Sequence, residues 1–173
     1  MSGKLADSLT PEYAASTTDY KLASFFKDST GLKDASGLDL GDIALASSCY
    51  YSMFSGCSSL TLAPALPATT LANICYSGMF YGCTSLTQAP ALPATTLAYG
   101  CYYYMFGNCT SLTQAPDLPA TALASTCYES MFEGCSKVTE LHYPASIQND
   151  STFTGMYGTP WFGATNATVH YDL

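Results

Sequence analysis

Charge is what this sequence lacks most. Only 10% of its 173 residues are Asp, Glu, Lys or Arg, against roughly 25% in an average globular protein. There is no arginine, and the five lysines leave a net charge of −8. A partner held through its phosphate backbone is thereby excluded, so no nucleic acid is expected. The 74 residues from Ile43 to Pro116 contain no Asp, Glu, Lys, Arg or His. Long apolar runs are missing too. Pro, Thr, Ser and Gly interrupt that stretch every few residues, so no run approaches the roughly 18 residues of a spanning helix and no membrane insertion is expected. The opening MSGKLADSLTPEYAAS lacks the apolar stretch of a secretory signal. That leaves a mature segment, a recombinant one, or a protein exported by another route. No HExxH and no phosphate-binding glycine loop occurs. What is present, 48% hydrophobic and 13% aromatic residues, argues against disorder and for one domain with a sizeable core.

Eight cysteines first suggest a disulfide or metal framework, but their spacing points elsewhere. Cys49, Cys75, Cys101 and Cys127 lie 26 apart, as do Cys57, Cys83, Cys109 and Cys135. Met53-Phe54, Met79-Phe80, Met105-Phe106 and Met131-Phe132 keep the same step, as do Tyr50, Tyr76, Tyr102 and Tyr128. Leu60, Leu86, Leu112 and Val138 follow it, and so do Leu66, Leu92, Leu118 and Leu45, Leu71, Leu97, Leu123. Cys75–Gly100 and Cys101–Thr126 are identical at 18 of 26 positions. A fixed period of this size signals a solenoid, because one unit is too small to bury its own apolar face and must stack on the next. The spacing predicts short parallel strands pairing coil to coil at about 4.8 Å, with Pro and Gly at the corners. Five such coils span only roughly 25 Å.

The ends deviate as caps do. Phe26-Lys-Asp-Ser-Thr-Gly-Leu32 echoes Phe54-Ser-Gly-Cys-Ser-Ser-Leu60, with two extra residues before Leu45. Thr10-Pro11-Glu12 starts a short helix, and a second helix over 19–27 is expected to lay Leu22, Phe25 and Phe26 across the open end of the core. Downstream, Phe153 and Trp161 continue the cysteine register as aromatic plugs, and 168–173 alternates like an edge strand. The organisation expected is a leader over 1–19, an N-terminal cap and degenerate repeat over 20–48, four repeats over 49–152, and a C-terminal cap over 153–173.

The repeat also sorts the chemistry. A zinc site wants ligands two to four residues apart, whereas these cysteines recur eight apart, so reduced thiols packed as small hydrophobes are expected. Stacked positions about 5 Å apart also fall within reach of a disulfide. The Met-Phe pairs read as a core stripe rather than a sticky groove. His142 and His170 have no nucleophile singled out beside them. Glu129, Glu133 and Glu140 read as a solvated capping face, and Asn108, Asn149 and Asn166 match a weak glycosylation pattern. No catalytic residue, metal or cofactor is expected. What remains are the positions that differ between copies: Tyr51/Ser77/Tyr103/Glu129, Ser52/Gly78/Tyr104/Ser130, Ser55/Tyr81/Gly107/Glu133, Asn73/Tyr99/Ser125 and Ile74/Gly100/Thr126. Stacking constrains the core, so these are expected to face solvent. They place Tyr51, Tyr81, Tyr99, Tyr103, Tyr104, Asn73 and Asn108 on a candidate binding face, and tyrosine there offers rigid contact area with a polar tip.

The motif Cys-Tyr-x-x-Met-Phe-x-Gly-Cys-Thr-Ser-Leu-Thr-x-Ala-Pro-x-Leu-Pro-Ala-Thr-Thr-Leu-Ala at Cys75–Ala98 resembles the BspA-like leucine-rich-repeat proteins. The resemblance covers residues 20–173 and weakens beyond Cys127, where His142-Tyr143-Pro144 replaces Asp117-Leu118-Pro119. It implies a right-handed leucine-rich-repeat solenoid with one short strand per coil and irregular or 3₁₀-like segments elsewhere. It carries no catalytic residues. It implies a non-enzymatic adhesion or recognition module for a protein or glycan, facing outward on a bacterial cell or phage particle. The alternative is a structural or assembly component of a virion, whose partner is another copy or a capsid or tail subunit.

Overall fold

The computed structural model describes residues 22–40, 45–148 and 167–173. The Thr10 helix start, the leader, Asn149, Asn166 and the Phe153 and Trp161 plugs lie outside them. Each coil carries a ribbon of consecutive β-turns. In Ser48–Cys57 the odd-numbered N–H groups close turns three residues back: Tyr51 on Ser48, Met53 on Tyr50, Ser55 on Ser52 and Cys57 on Phe54, at 3.0–3.2 Å. The even-numbered groups donate to the following coil instead. Ser48, Tyr50, Ser52, Phe54 and Gly56 reach the carbonyls of Asn73, Cys75, Ser77, Met79 and Tyr81 at 2.7–3.0 Å. Both sets of backbone donors are thus satisfied without a helix or a strand.

This ribbon explains the motif. Its turns point inward and outward alternately, so residues go in by twos and out by twos. Cys127 and Tyr128 are buried, Glu129 and Ser130 are not, Met131 and Phe132 are, Glu133 and Gly134 are exposed, and Cys135 is buried again. The second residue of each outward turn is left-handed, as at Ser52 and Gly56 (φ 52° and 76°), which is what a type II turn requires. The expectation of a helix over 19–27 is corrected for its described part. Leu22, Ser24, Phe26 and Asp28 donate to Cys49, Tyr51, Met53 and Ser55, with Ser24 and Asp28 left-handed. This is a further coil of the same ribbon, with Leu22 and Phe26 turned toward the core and Phe25 exposed.

The strands are also shorter than expected. Parallel pairing occurs as single bridges at Asp34–Leu62, Thr70–Thr96 and Gln88–Gln114. Pro64, Pro90 and Pro116 stand two residues beyond Leu62, Gln88 and Gln114; lacking an N–H, they stop the ladder. The last coil lacks that proline, Leu141-His142-Tyr143 following Glu140 where Ala115-Pro116-Asp117-Leu118 follows Gln114, and a three-residue strand forms. This strand, β1 (Glu140–His142), pairs in parallel with β2 (Thr168–His170), Glu140 facing Thr168 and His142 facing His170. A 3₁₀ turn at Ala145–Ile147 follows β1.

Inside, equivalent residues form columns. Phe26, Phe54, Phe80, Phe106 and Phe132 stack at 5.4–5.6 Å with planes within 7°. Tyr50, Tyr76, Tyr102 and Tyr128 stack at 5.6–6.0 Å, and each such contact is worth about 0.5–1.5 kcal/mol beyond area burial. The tyrosine column is held at both ends: the Tyr50 hydroxyl donates to the Leu40 carbonyl at 2.9 Å, and Tyr143 meets Tyr128 edge-on. The cysteines do more than fill space. Cys57, Cys83, Cys109 and Cys135 donate their S–H to the carbonyls of Phe26, Phe54, Phe80 and Phe106 at 3.0–3.2 Å. No disulfide joins any of the eight cysteines. No helix among the described residues is long and apolar enough to cross a membrane.

Candidate recognition surface

The outward turns of the middle coils gather most of the variable tyrosines. Tyr103 and Tyr104 meet edge-on at 4.7 Å, and Tyr104 lies 6.2 Å from Tyr81 of the preceding coil. The Tyr81 ring lies over Gly107, where a Cβ would stand 2.9 Å from it. Its hydroxyl accepts a hydrogen bond from the Asn108 amide at 2.8 Å. Tyr103 also senses Tyr99, Glu129 and Glu133. Its hydroxyl is pushed above its ordinary value, first by partial burial and then by Tyr104, Glu129, Glu133 and Tyr99. Tyr81, Tyr99, Tyr103, Tyr104 and Asn108 therefore form one patch with a tilted aromatic floor and an acidic border. Tyr51 and Asn73 are exposed on earlier turns, and beside Asn73 the Ile74 N–H donates to the Tyr99 carbonyl at 2.9 Å.

Not every variable position faces solvent. Ser55, Ser77, Gly78, Gly100 and Gly107 are buried, because a small residue there is covered by larger side chains on the neighbouring coils. Variability marks tolerance of shape as well as exposure. Tyr104 and Asn108 are themselves left-handed (φ 53° and 59°). Asparagine accepts that region readily and tyrosine does not. Tyr104 is held there by the ribbon, its N–H donating to Glu129 at 3.0 Å and its carbonyl accepting from Gly107.

The carboxylates expected to form one capping face divide between two places. Glu129 and Glu133 border the tyrosines, whereas Glu140 lies on β1 beside the histidines. There the sequence reading missed a second constellation. His142 Nδ1 lies 2.9 Å from Asp172, and its ring stacks on His170 at 4.7 Å. Glu140, His142 and His170 bring one ligand atom each within 4.8 Å of one another, so these are the residues placed to hold a cation. Asp172 raises the His142 pKa, chiefly by hydrogen bonding. Glu140 and His142 also line a groove of about 750 Å³ that runs past Gln114, Pro116 and Asp117. The signal in the sequence was the break in the proline column at His142.

No protein-family model and no curated protein matches this chain. Among solved structures it is similar to a leucine-rich repeat protein from Bacteroides ovatus ATCC 8483, at 22% identity and a TM-score of 0.49 over 85% of this chain. This chain spans 32% of the length of that protein.

Proposed function

We propose that this protein is a non-enzymatic recognition module that binds a protein or glycan through the patch of Tyr81, Tyr99, Tyr103, Tyr104 and Asn108. One observation carries the reading: exposed and half-buried tyrosines from successive coils touch one another and are braced by Asn108. Tyr and Asn combine large, low-entropy contact area with adaptable hydrogen bonding, the mix that paratopes use. The repeat motif supports membership in the BspA-like group of right-handed leucine-rich-repeat solenoids, and with it display on a bacterial cell or phage particle. The experiment compares the wild-type chain with Y99S/Y103S/Y104S on a glycan array and on intact bacterial cells. Loss of binding at an almost unchanged melting temperature supports the reading. A wild-type chain that binds neither probe, or a triple variant that unfolds, overturns it.

A second reading, a structural or assembly component of a virion, has its own observation. Within the charge-free stretch, Ala63, Pro64, Leu66, Pro67, Pro90 and Pro93 line a shallow apolar groove suited to protein contact. A chain that stays monomeric in solution and ignores capsid and tail subunits speaks against it.

A further inference from the structure

We propose that Glu140, His142 and His170 form a divalent-metal site, oriented by Asp172 and selective for Zn²⁺. The strand register builds it. Glu140 and His142 are two apart on β1, so they share a face of the strand, and His142 faces His170 on β2. The three ligand atoms lie within 4.8 Å of one another. A tetrahedral set with bonds of about 2.1 Å needs about 3.4 Å between ligands, a closure that side-chain rotation supplies.

Three features distinguish this place from a surface cluster of charges. First, Nε2 of His170 is shut off from solvent and has no hydrogen-bond partner among the described residues; a buried ring nitrogen without a partner is costly, and a metal ion satisfies it. Second, His142 Nδ1 is committed to Asp172 at 2.9 Å, which leaves its Nε2 to carry the ligating lone pair. A carboxylate on the far nitrogen is the usual outer-shell device of a metal-binding histidine. Third, the site exists because the proline column stops. The last coil lacks the proline that Pro64, Pro90 and Pro116 supply to the others, so a strand forms there and carries His142 to His170.

Two imidazoles and a carboxylate suit a borderline ion such as Zn²⁺ better than Ca²⁺ or Mg²⁺, which prefer all-oxygen sets. Three protein ligands leave a fourth position for water or an oxygen ligand from the groove that Glu140 and His142 line. The net charge of −8 favours cation capture. Bound there, the ion ties β2 to the last coil.

The test uses the full chain, stripped with a chelator and titrated with ZnCl₂ by calorimetry. One equivalent is expected to bind, with a rise in melting temperature that a chelator reverses. Asp172 and Glu140 are exposed, so D172N and E140Q keep the fold, as circular dichroism checks. D172N weakens binding by about 10–100-fold, E140Q by at least about 10-fold, and H142Q/H170Q abolishes it with all eight thiols still present. Cobalt loaded in place of zinc gives a nitrogen and oxygen ligand field without a thiolate charge-transfer band. Absence of stoichiometric binding, binding that survives H142Q/H170Q, or a thiolate band overturns the proposal; the cluster is then only an ion pair, His142 with Asp172.

Discussion

Asn108 donates to the hydroxyl of Tyr81 at 2.8 Å across one step of the solenoid. The bond fixes a ring that lies over Gly107 of the following coil and leans on Tyr104 at 6.2 Å. Asn108→Gly keeps the left-handed backbone and deletes only the amide. We expect a stability change below about 1 kcal/mol, because one exposed hydrogen bond contributes about that much. Binding to the glycan or cell probe should fall several-fold as Tyr81 gains freedom. A calorimetric melt run beside the binding assay separates the two effects.

Gly134 makes that arrangement possible. Its φ of +76° suits glycine, and a Cβ placed there collides with the Asn108 carboxamide. Gly134→Ala should therefore lose about 1–3 kcal/mol to backbone strain and also displace Asn108 from Tyr81. Gly37 is the control: no atom lies within 4 Å of a Cβ added there and its φ is not positive. Gly37→Ala should be neutral or stabilise by about 0.4–1 kcal/mol. Equal losses in urea unfolding of the two variants would refute the turn-ribbon geometry.

Phe80 sits in the middle of the phenylalanine column, 5.6 Å from both Phe54 and Phe106, and is fully buried. Phe80→Ala removes two stacking contacts and leaves a cavity, at a cost of about 3–5 kcal/mol. Against a total stability of roughly 5–15 kcal/mol, that brings the chain close to unfolding at 37 °C. Thermal melts should show a single, strongly lowered transition, whereas Leu62→Ser, at an exposed position, should barely move it.

The columns were legible in the sequence because stacking selects the same residue in every coil; Cys57, Phe54 and Leu60 needed only the 26-residue step. The backbone that carries them was not. Pairs alternating in and out, as from Cys127 to Cys135, match neither the 3.6-residue helical period nor the two-residue strand period, so periodicity does not display the turn ribbon and points to a helix over 19–27 instead. The tyrosine positions stood out as variable, yet their contacts depend on ring directions that the sequence does not display. The His142–His170 pair was hidden for a different reason. It joins residues 28 apart, outside the 26-residue register, and follows from where β2 returns.

Burial should also order the reactivity of the thiols. Cys49 is the half-buried member of the eight, and the other seven are buried. The thiolate is the reacting species, and burial holds most of these thiols neutral. Iodoacetamide at about pH 8 should label Cys49 first and the others only after denaturant is added. Peptide mass spectrometry reads the order directly; early labelling of Cys83 or Cys109 would mean that the columns open.

The same burial makes the fold sensitive to alkali. Cys101 is pushed up from 9.0 to about 11, and Cys127 and Cys135 to about 12, in each case first by burial. The folded chain therefore keeps these protons after the unfolded chain has begun to release them. Below about pH 9 both states are protonated and the thiols contribute their full stability. Above it each thiol costs about 1.4 kcal/mol per pH unit until its folded value is reached. Several titrate together, so unfolding should set in between about pH 9 and 11, with no comparable loss between about pH 6 and 8. Circular dichroism melts across that range test it. Replacing Cys101 by Ala should shallow the alkaline slope while lowering stability at neutral pH, a pairing of effects that a merely space-filling residue would not produce.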